Sequence, residues 1–117
     1  MGPVGTLRTL RRQKDIAYLF AVGKRVKLGA ATVVAAPSAD GSPAYVFIAG
    51  RKAGGPVERN RARRRLRAVL GGLAEKVAPG WWIALIAQPE AARVDFATLS
   101  RELEAGLRRL GVLKDTD

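Results

Sequence analysis

The chain has 117 residues with a formal net charge of +11, it is 48% hydrophobic, and it contains neither cysteine nor histidine. This length suits one domain with a single modest core, and the hydrophobic fraction excludes a disordered basic tail. Since thiols and imidazoles are missing, disulfides, thiolate metal sites and the commonest general base are excluded, and a catalytic centre carried by the protein itself is not expected.

The first predicted element is a helix. Apolar residues between Leu10 and Phe20 recur at helical spacing, which predicts a helix over residues 9–22. Thr9 is a candidate cap for its start, and Gly23 is a candidate stop.

Two extended segments follow the helix. The β-branched stretch 26–36 predicts one or two strands, with Gly29 as a candidate bulge, and residues 44–49 predict a buried strand. Between them, residues 39–43 form a turn by composition, so we expect the two segments to pair as a hairpin.

The second half of the chain predicts helix, strand and helix. A helix is expected from Val57 to about Lys76, a buried strand over residues 81–87, and a final helix from Val94 or Asp95 to Gly111. The order is α-β-β-β-α-β-α, which indicates an α+β sandwich in one domain over residues 1–117, with residues 1–7 and 114–117 flexible. The apolar stripe of the middle helix comprises Ala62, Leu66, Val69, Leu70, Leu73 and Val77.

The positive charge is concentrated in two blocks. Residues 8–27 hold seven Lys/Arg and one Asp, and residues 51–67 hold eight Lys/Arg and one Glu. Such clustering indicates a polyanionic partner. The part of the first block at residues 24–27 is open to two interpretations, a strand edge guarded by lysine or an added RNA contact.

The second block combines a glycine-rich loop with the first half of the middle helix. The start of a helix favours phosphate, and the planar guanidinium of arginine can bind two phosphate oxygens. A solvated basic helix is the alternative, but only Glu58 offsets the repulsion among the arginines, which favours RNA or DNA as the partner. The spacing of a P-loop is absent.

The order strand, Arg51-Lys52-Ala53-Gly54, Val57-Glu58-Arg59-Asn60-Arg61 and basic helix resembles the signature of the bacterial ribonuclease P protein family. The resemblance covers nearly the whole chain. Its other matching positions are Arg11, Arg12, Asp15, Phe20 and Gly23 in the first helix, Ala84 to Ala87 with Pro89, and Asp95 with Phe96.

The resemblance implies a protein subunit that assists a catalytic RNA in removing the 5′ leader of precursor tRNA. It implies a sheet that is mainly antiparallel, with a left-handed βαβ crossover around the signature helix. The implied partners are the catalytic RNA and the single-stranded leader, without a membrane or an obligate protein partner. Magnesium or another divalent metal would be bound mainly by the RNA, which performs the hydrolysis, and not by the protein alone.

The resemblance also assigns residues to two surfaces. Phe20 keeps two interpretations, because it can stack on a base or pack in the core of the first helix. The surface for the catalytic RNA comprises Arg51, Lys52, Arg59, Asn60, Arg61, Arg63, Arg64 and Arg67, and the leader cleft comprises Arg11, Arg12, Ile16, Phe20 and Val34.

Two other functions compete with this one. A structural or ribosomal RNA-binding protein would carry basic loops without a leader cleft. A stand-alone nuclease would need carboxylates clustered around metals, and Asp15, Glu58, Glu75 and Asp95 lie in separate predicted elements. The sequence has no long apolar run, and Met1 to Thr9 lack the features of a secretory signal, so we expect the cytoplasm.

Overall fold

A computed structural model describes residues 7–114, and in this part of the chain a four-stranded sheet carries one helix on one face and two on the other. The predicted α+β class and element order are confirmed. Short 3₁₀ turns occupy Arg51–Ala53, Ala74–Lys76 and Pro89–Ala92. The longer elements are α1 (Gln13–Val22), β1 (Lys24–Lys27), β2 (Ala31–Pro37), β3 (Ala44–Ile48), α2 (Pro56–Leu73), β4 (Trp81–Ala87) and α3 (Phe96–Arg109).

The strand order is β1-β2-β4-β3, so the predicted hairpin between residues 26–36 and 44–49 is wrong. Strand β4 lies between β2 and β3, antiparallel to the first and parallel to the second. A strand that is buried on both faces belongs in the centre of a sheet, and β4 is buried continuously from Trp82 to Leu85. The β3–α2–β4 segment is therefore a βαβ unit, and its left-handed sense stays a prediction.

The hairpin in this sheet is formed by β1 and β2 instead. Their register joins Lys24 to Ala35 and Lys27 to Thr32. Gly29 lies in the connecting turn, where the Leu28 N–H donates to the Ala31 carbonyl at 2.8 Å, so it is not a bulge.

Each face of the sheet has its own apolar core. Helices α2 and α3 cover one face, where the predicted stripe is buried from Ala62 to Leu73 in α2 and at Val77 after it, as are Leu99, Leu103 and Leu107 of α3. Helix α1 covers the other face, where Leu19 packs with Trp82. The Trp82 indole N–H donates to the Ser42 carbonyl at 3.0 Å, which satisfies its polar atom.

Helix α1 begins at Gln13, four residues later than predicted, and Thr9 does not cap it. The backbone before it extends the sheet instead. The Leu10 N–H donates to the Tyr45 carbonyl at 2.8 Å, and the Tyr45 N–H donates to the Arg8 carbonyl at 2.9 Å. These bonds place residues 8–10 along the outer edge of β3, because they satisfy backbone groups that β4 cannot reach.

The predicted flexible ends fall almost entirely outside the described residues. Two residues of these ends are described. Leu7 packs against the core under α2 and α3, and the Lys114 N–H donates to the Lys76 carbonyl at 2.7 Å. Between residues 7 and 114, no helix has the length and apolarity that crossing a membrane requires.

Two exposed carboxylates are expected to lower the free energy of unfolding when they are protonated at acid pH. Hydrogen bonds from the Arg8 side chain and the Ser42 N–H hold the pKa of Asp40 well below its ordinary range. The Thr98 hydroxyl and N–H lower the pKa of Asp95, which caps α3. A carboxyl group whose pKa is lower in the folded state stabilises the fold at pH values above its unfolded-state pKa of about 3.9. This stabilisation is lost as the pH falls toward the folded-state pKa.

We therefore expect the free energy of unfolding of the wild type to fall as the pH drops below about 4. The double variant Asp40→Asn/Asp95→Asn is expected to fall less steeply over the same range, because asparagine keeps the shape but does not titrate. Urea unfolding at neutral pH and at about pH 3 measures both. Equal losses in the two proteins would contradict the assignment to these carboxylates.

Candidate RNA-binding surfaces

A glycine allows the loop between β3 and α2 to lie close to the start of the helix. Gly54 has a φ of 127°, in the region that favours glycine, and a Cβ there would lie 2.8 Å from the Cβ of Glu58. The loop can therefore pack on the first turn of α2, which Pro56 begins. Arg51 and Lys52 are exposed in the 3₁₀ turn just before it.

One side of α2 runs along the outer edge of β3. The Arg63 guanidinium donates to the Ala49 carbonyl at 3.4 Å and also to the Asn60 side-chain oxygen. The Arg67 guanidinium lies 4.8 Å from the centre of the Phe47 ring. Arg59 lies one turn before Arg63 and therefore on the same side. We call Arg59, Asn60, Arg63 and Arg67, together with Arg51 and Lys52 of the turn that precedes α2, the basic flank.

The other side of α2 faces the Pro89–Ala92 turn and the start of α3. Arg61 and Arg64 lie on this side, so the eight residues predicted to bind the catalytic RNA do not share one surface. Arg65 joins α2 to the segment between β4 and α3. Its guanidinium donates to the Ala91 carbonyl at 3.1 Å and to the Val94 carbonyl, so this charge is used inside the fold.

Helix α1 leaves part of the opposite face of the sheet only half-covered. Tyr18 fixes how the helix sits, because its hydroxyl donates to the Pro37 carbonyl at 2.8 Å and its ring packs edge-on against Trp82. Ile16 and Phe20 lie on the other side of α1 and, like Ile48 and Ile86, pack partly buried against the core on this face of the sheet. There, the cross-strand row of Thr32, Ile86 and Ile48 is half-buried. We call this set of five residues the cleft.

The predicted cleft residues are only partly brought together. Ile16 and Phe20 line the cleft, and Arg11 and Arg12 are exposed where α1 begins. Val34 has no exposed surface and packs beneath α1, so the prediction that it lines the cleft is corrected. Thr32, two residues earlier on the same face, takes the position next to the opening.

Sequence patterns did not identify Thr32, Ile48 and Ile86. Alternation along β2 would have found Thr32, because residues two apart share a face. Ile48 and Ile86 could not be found in this way, because their nearness to α1 depends on which strands are neighbours.

The basic residues of β1 extend the cleft. Arg25 and Lys27 are exposed and stand on the same face as Val34 and Thr32, their partners in the register. The Arg25 guanidinium lies 6.0 Å from the centre of the Phe20 ring. A cation and an aromatic face therefore stand together at the opening, which is suited to a phosphate and its base.

The charge of the basic flank is not neutralised by nearby acids. The ion pairs found within residues 7–114 are Arg8–Asp40, Lys76–Glu104 and Arg108–Glu104, none of which includes the flank. In the same residues no three acidic side chains come together as metal ligands. The flank and the cleft meet where β3 ends, since Ile48 lines the cleft and Phe47 and Ala49 contact arginines of the flank.

Comparison with known proteins identifies relatives over nearly the whole chain. The family model described as "Ribonuclease P" matches residues 5–111. The ribonuclease P protein component of Symbiobacterium thermophilum is 38% identical over 110 residues, 92% of this chain and 96% of that protein. The component of Beutenbergia cavernae is 36% identical over 104 residues, 88% of this chain and 87% of that protein.

Solved structures show the same fold. The RNase P protein of Staphylococcus aureus superposes with a TM-score of 0.79 at 18% identity, covering 91% of this chain and 97% of that one. The RNase P protein of Thermotoga maritima superposes with a TM-score of 0.76 at 24% identity, covering 87% and 96%.

Proposed function

This chain belongs to the bacterial ribonuclease P protein family and is a subunit of that enzyme, and from this premise we propose that it positions RNA while the RNA partner cuts. The basic flank, with Arg61 and Arg64, binds the phosphates of the catalytic RNA. The cleft, with Arg11 and Arg12, holds the single-stranded 5′ leader of precursor tRNA.

The observation that carries this proposal is the meeting of the two surfaces at the end of β3. Two adjacent residues there point to opposite faces of the sheet, Ile48 into the cleft and Phe47 against Arg67 of the flank. One RNA bound on the flank and one strand lying in the cleft would therefore be held side by side. Such an arrangement raises the effective concentration of the leader at the catalytic RNA.

The chemistry of hydrolysis belongs, in this proposal, to the catalytic RNA and its divalent metal, commonly magnesium. Magnesium is bound by oxygen ligands such as carboxylates. The polar groups of the flank are mainly the guanidinium and ammonium donors of arginine and lysine, which do not fit such an ion. The protein's contribution is then to offset phosphate repulsion where the RNAs approach each other. We place this work in the cytoplasm, without an obligate protein partner.

The test is processing of a precursor tRNA at low magnesium by a bacterial ribonuclease P RNA alone, by this protein alone, and by both. We expect efficient cleavage only with both, leaving a mature 5′-phosphate end. A protein that binds the RNA without stimulating cleavage would instead indicate a structural RNA-binding role. Cleavage by the protein alone would contradict the assignment of catalysis to the RNA.

Phe20 offers a specific prediction for the cleft. Replacing it by alanine removes the ring beside Arg25, and we expect about tenfold weaker binding of precursor tRNA to the assembled enzyme, since a stacked base contributes about 1–3 kcal/mol. Binding of mature tRNA, which lacks the leader, should change less than twofold, within about 0.4 kcal/mol. Phe20→Tyr keeps the aromatic face and is the matched control. Equal losses for both tRNAs would assign Phe20 to the core instead.

A further inference from the structure

A second groove lies on the side of α2 opposite to the basic flank. The first half of α2 forms one wall, and the residues from Ala92 to Phe96 form the other. Its volume is about 530 Å³, and a smaller pocket of about 310 Å³ continues it toward the start of α2, sharing Arg61, Ala92 and Arg93. We call this the rear groove, and its main lining residues are Val57, Arg61, Arg64, Arg65, Arg93 and Phe96.

Most of the positive charge in the rear groove is not paired with an acidic side chain in the described part of the protein. The Arg65 guanidinium donates hydrogen bonds to the carbonyls of Ala91 and Val94, which holds the two walls together. Arg61, Arg64 and Arg93 take part in none of the ion pairs found within residues 7–114. Of the nearby acids, Asp95 is bonded to Thr98, and Glu58 lies at the narrow end against Gly54.

The same groove holds exposed apolar surface. Three large hydrophobic side chains are exposed among the described residues, Val22 (52%), Val57 (72%) and Phe96 (47%), and the last two line this groove. Phe96 stands on the same side of α3 as Leu99 and Leu103, but one turn before them, where the packed core has ended. Half of its surface therefore remains open beside the arginines.

We propose that the rear groove binds one unpaired nucleotide of an RNA, with its base against Phe96 and its phosphates on Arg61, Arg64 and Arg93. This inference rests on the proposed function, because it supposes that a large RNA is already bound at the basic flank. Unpaired bases are recognised by stacking on aromatic side chains and guanidinium planes. An acidic peptide would match the charge, but a nucleotide always carries a phosphate and a flat base together, so the nucleotide fits better.

The experiment measures binding of a labelled bacterial ribonuclease P RNA to the full-length protein across a series of salt concentrations. Phe96→Ala is expected to weaken binding about tenfold without changing the salt dependence, because stacking is lost and no charge is removed. Phe96→Trp should bind as the wild type does. Arg93→Gln should weaken binding and lower the salt slope by about 1, as the loss of one phosphate contact requires.

The controls are Val22→Ala, the third of the large hydrophobic side chains exposed among the described residues, and Arg109→Gln, an exposed arginine at the far end of α3. Thermal unfolding of each variant establishes that it is folded. If Phe96→Ala and Arg93→Gln bind like these controls while neutralised flank arginines weaken binding, the rear groove does not hold a stacked nucleotide, and the assignment of the basic flank to the catalytic RNA stands. A loss with Arg93→Gln alone would indicate a phosphate contact and overturn the stacked nucleotide. If the wild type does not bind the RNA, the proposed function itself fails.

Discussion

Replacing Arg51 and Arg59 by glutamine is expected to weaken binding of this protein to a ribonuclease P RNA by about a hundredfold, or about 3 kcal/mol. Both residues belong to the basic flank, and neither makes a side-chain hydrogen bond or ion pair within the described part of the chain. Their loss therefore removes phosphate contacts and leaves the fold intact. The slope of log affinity against log salt should fall by about 2, since each phosphate contact displaces about one counterion.

The measurement is a titration of labelled RNA at several salt concentrations, with the variant Arg101→Gln/Arg109→Gln as the matched control. That pair removes the same net charge from exposed positions of α3. A long-range effect of net charge would weaken both variants alike, whereas direct contact at the flank weakens only the first. Equal affinities and equal slopes for the two variants would contradict the assignment of the flank to RNA.

Gly23→Ala is expected to destabilise the protein by about 3 kcal/mol, at the upper end of the cost of overpacking a filled core. A Cβ at this position would lie 2.5 Å from the Leu19 carbonyl oxygen and 2.5 Å from a methyl group of Val34. The backbone at Gly23 is extended, with a φ of −70°, so alanine meets no torsional penalty and the whole cost is steric. Helix α1 would have to move away from the sheet to relieve it.

Because α1 carries Ile16 and Phe20, this displacement should also reduce the preference for precursor over mature tRNA. Urea unfolding measures the loss of stability, and tRNA binding to the assembled enzyme measures the loss of preference. The control is Gly72→Ala in α2, where a Cβ would meet nothing within 4 Å and alanine should stabilise the helix by about 0.5–1 kcal/mol. A Gly23→Ala variant as stable as the wild type would show that α1 is not seated so closely on β2.

The helices could be predicted from the sequence because their patterns are local. The stripe from Ala62 to Val77 has the period of a helix and is buried as predicted, and Asp95 caps α3 where a start was expected. The start of α1 was wrong for a non-local reason. Residues 8–10 can continue the helical pattern, but their backbone groups pair with Tyr45, which lies 35 positions after Leu10 in the sequence.

The candidate sites divide in the same way. The exposed arginines of residues 51–67 follow from their positions around the α2 stripe, so the sequence could predict that they face a polyanion. It could not predict that Arg61 and Arg64 face α3 while Arg63 and Arg67 face β3, because that depends on the elements packed on each side. For the same reason the sequence could not distinguish Arg65 from its neighbours. Its hydrogen bonds join α2 to the residues just before α3.

By itself the sequence determined the order of elements, the buried face of α2 and α3, and the concentration of positive charge that indicates an RNA partner. These properties depend on periodicity and composition, which act over a few turns or strands. Only the tertiary structure decided that β4 separates β2 from β3, that Val34 is buried, and that the cleft and the basic flank meet at the end of β3. Strand neighbours are chosen by the burial of whole faces against distant helices, a free energy that no local segment of the chain contains.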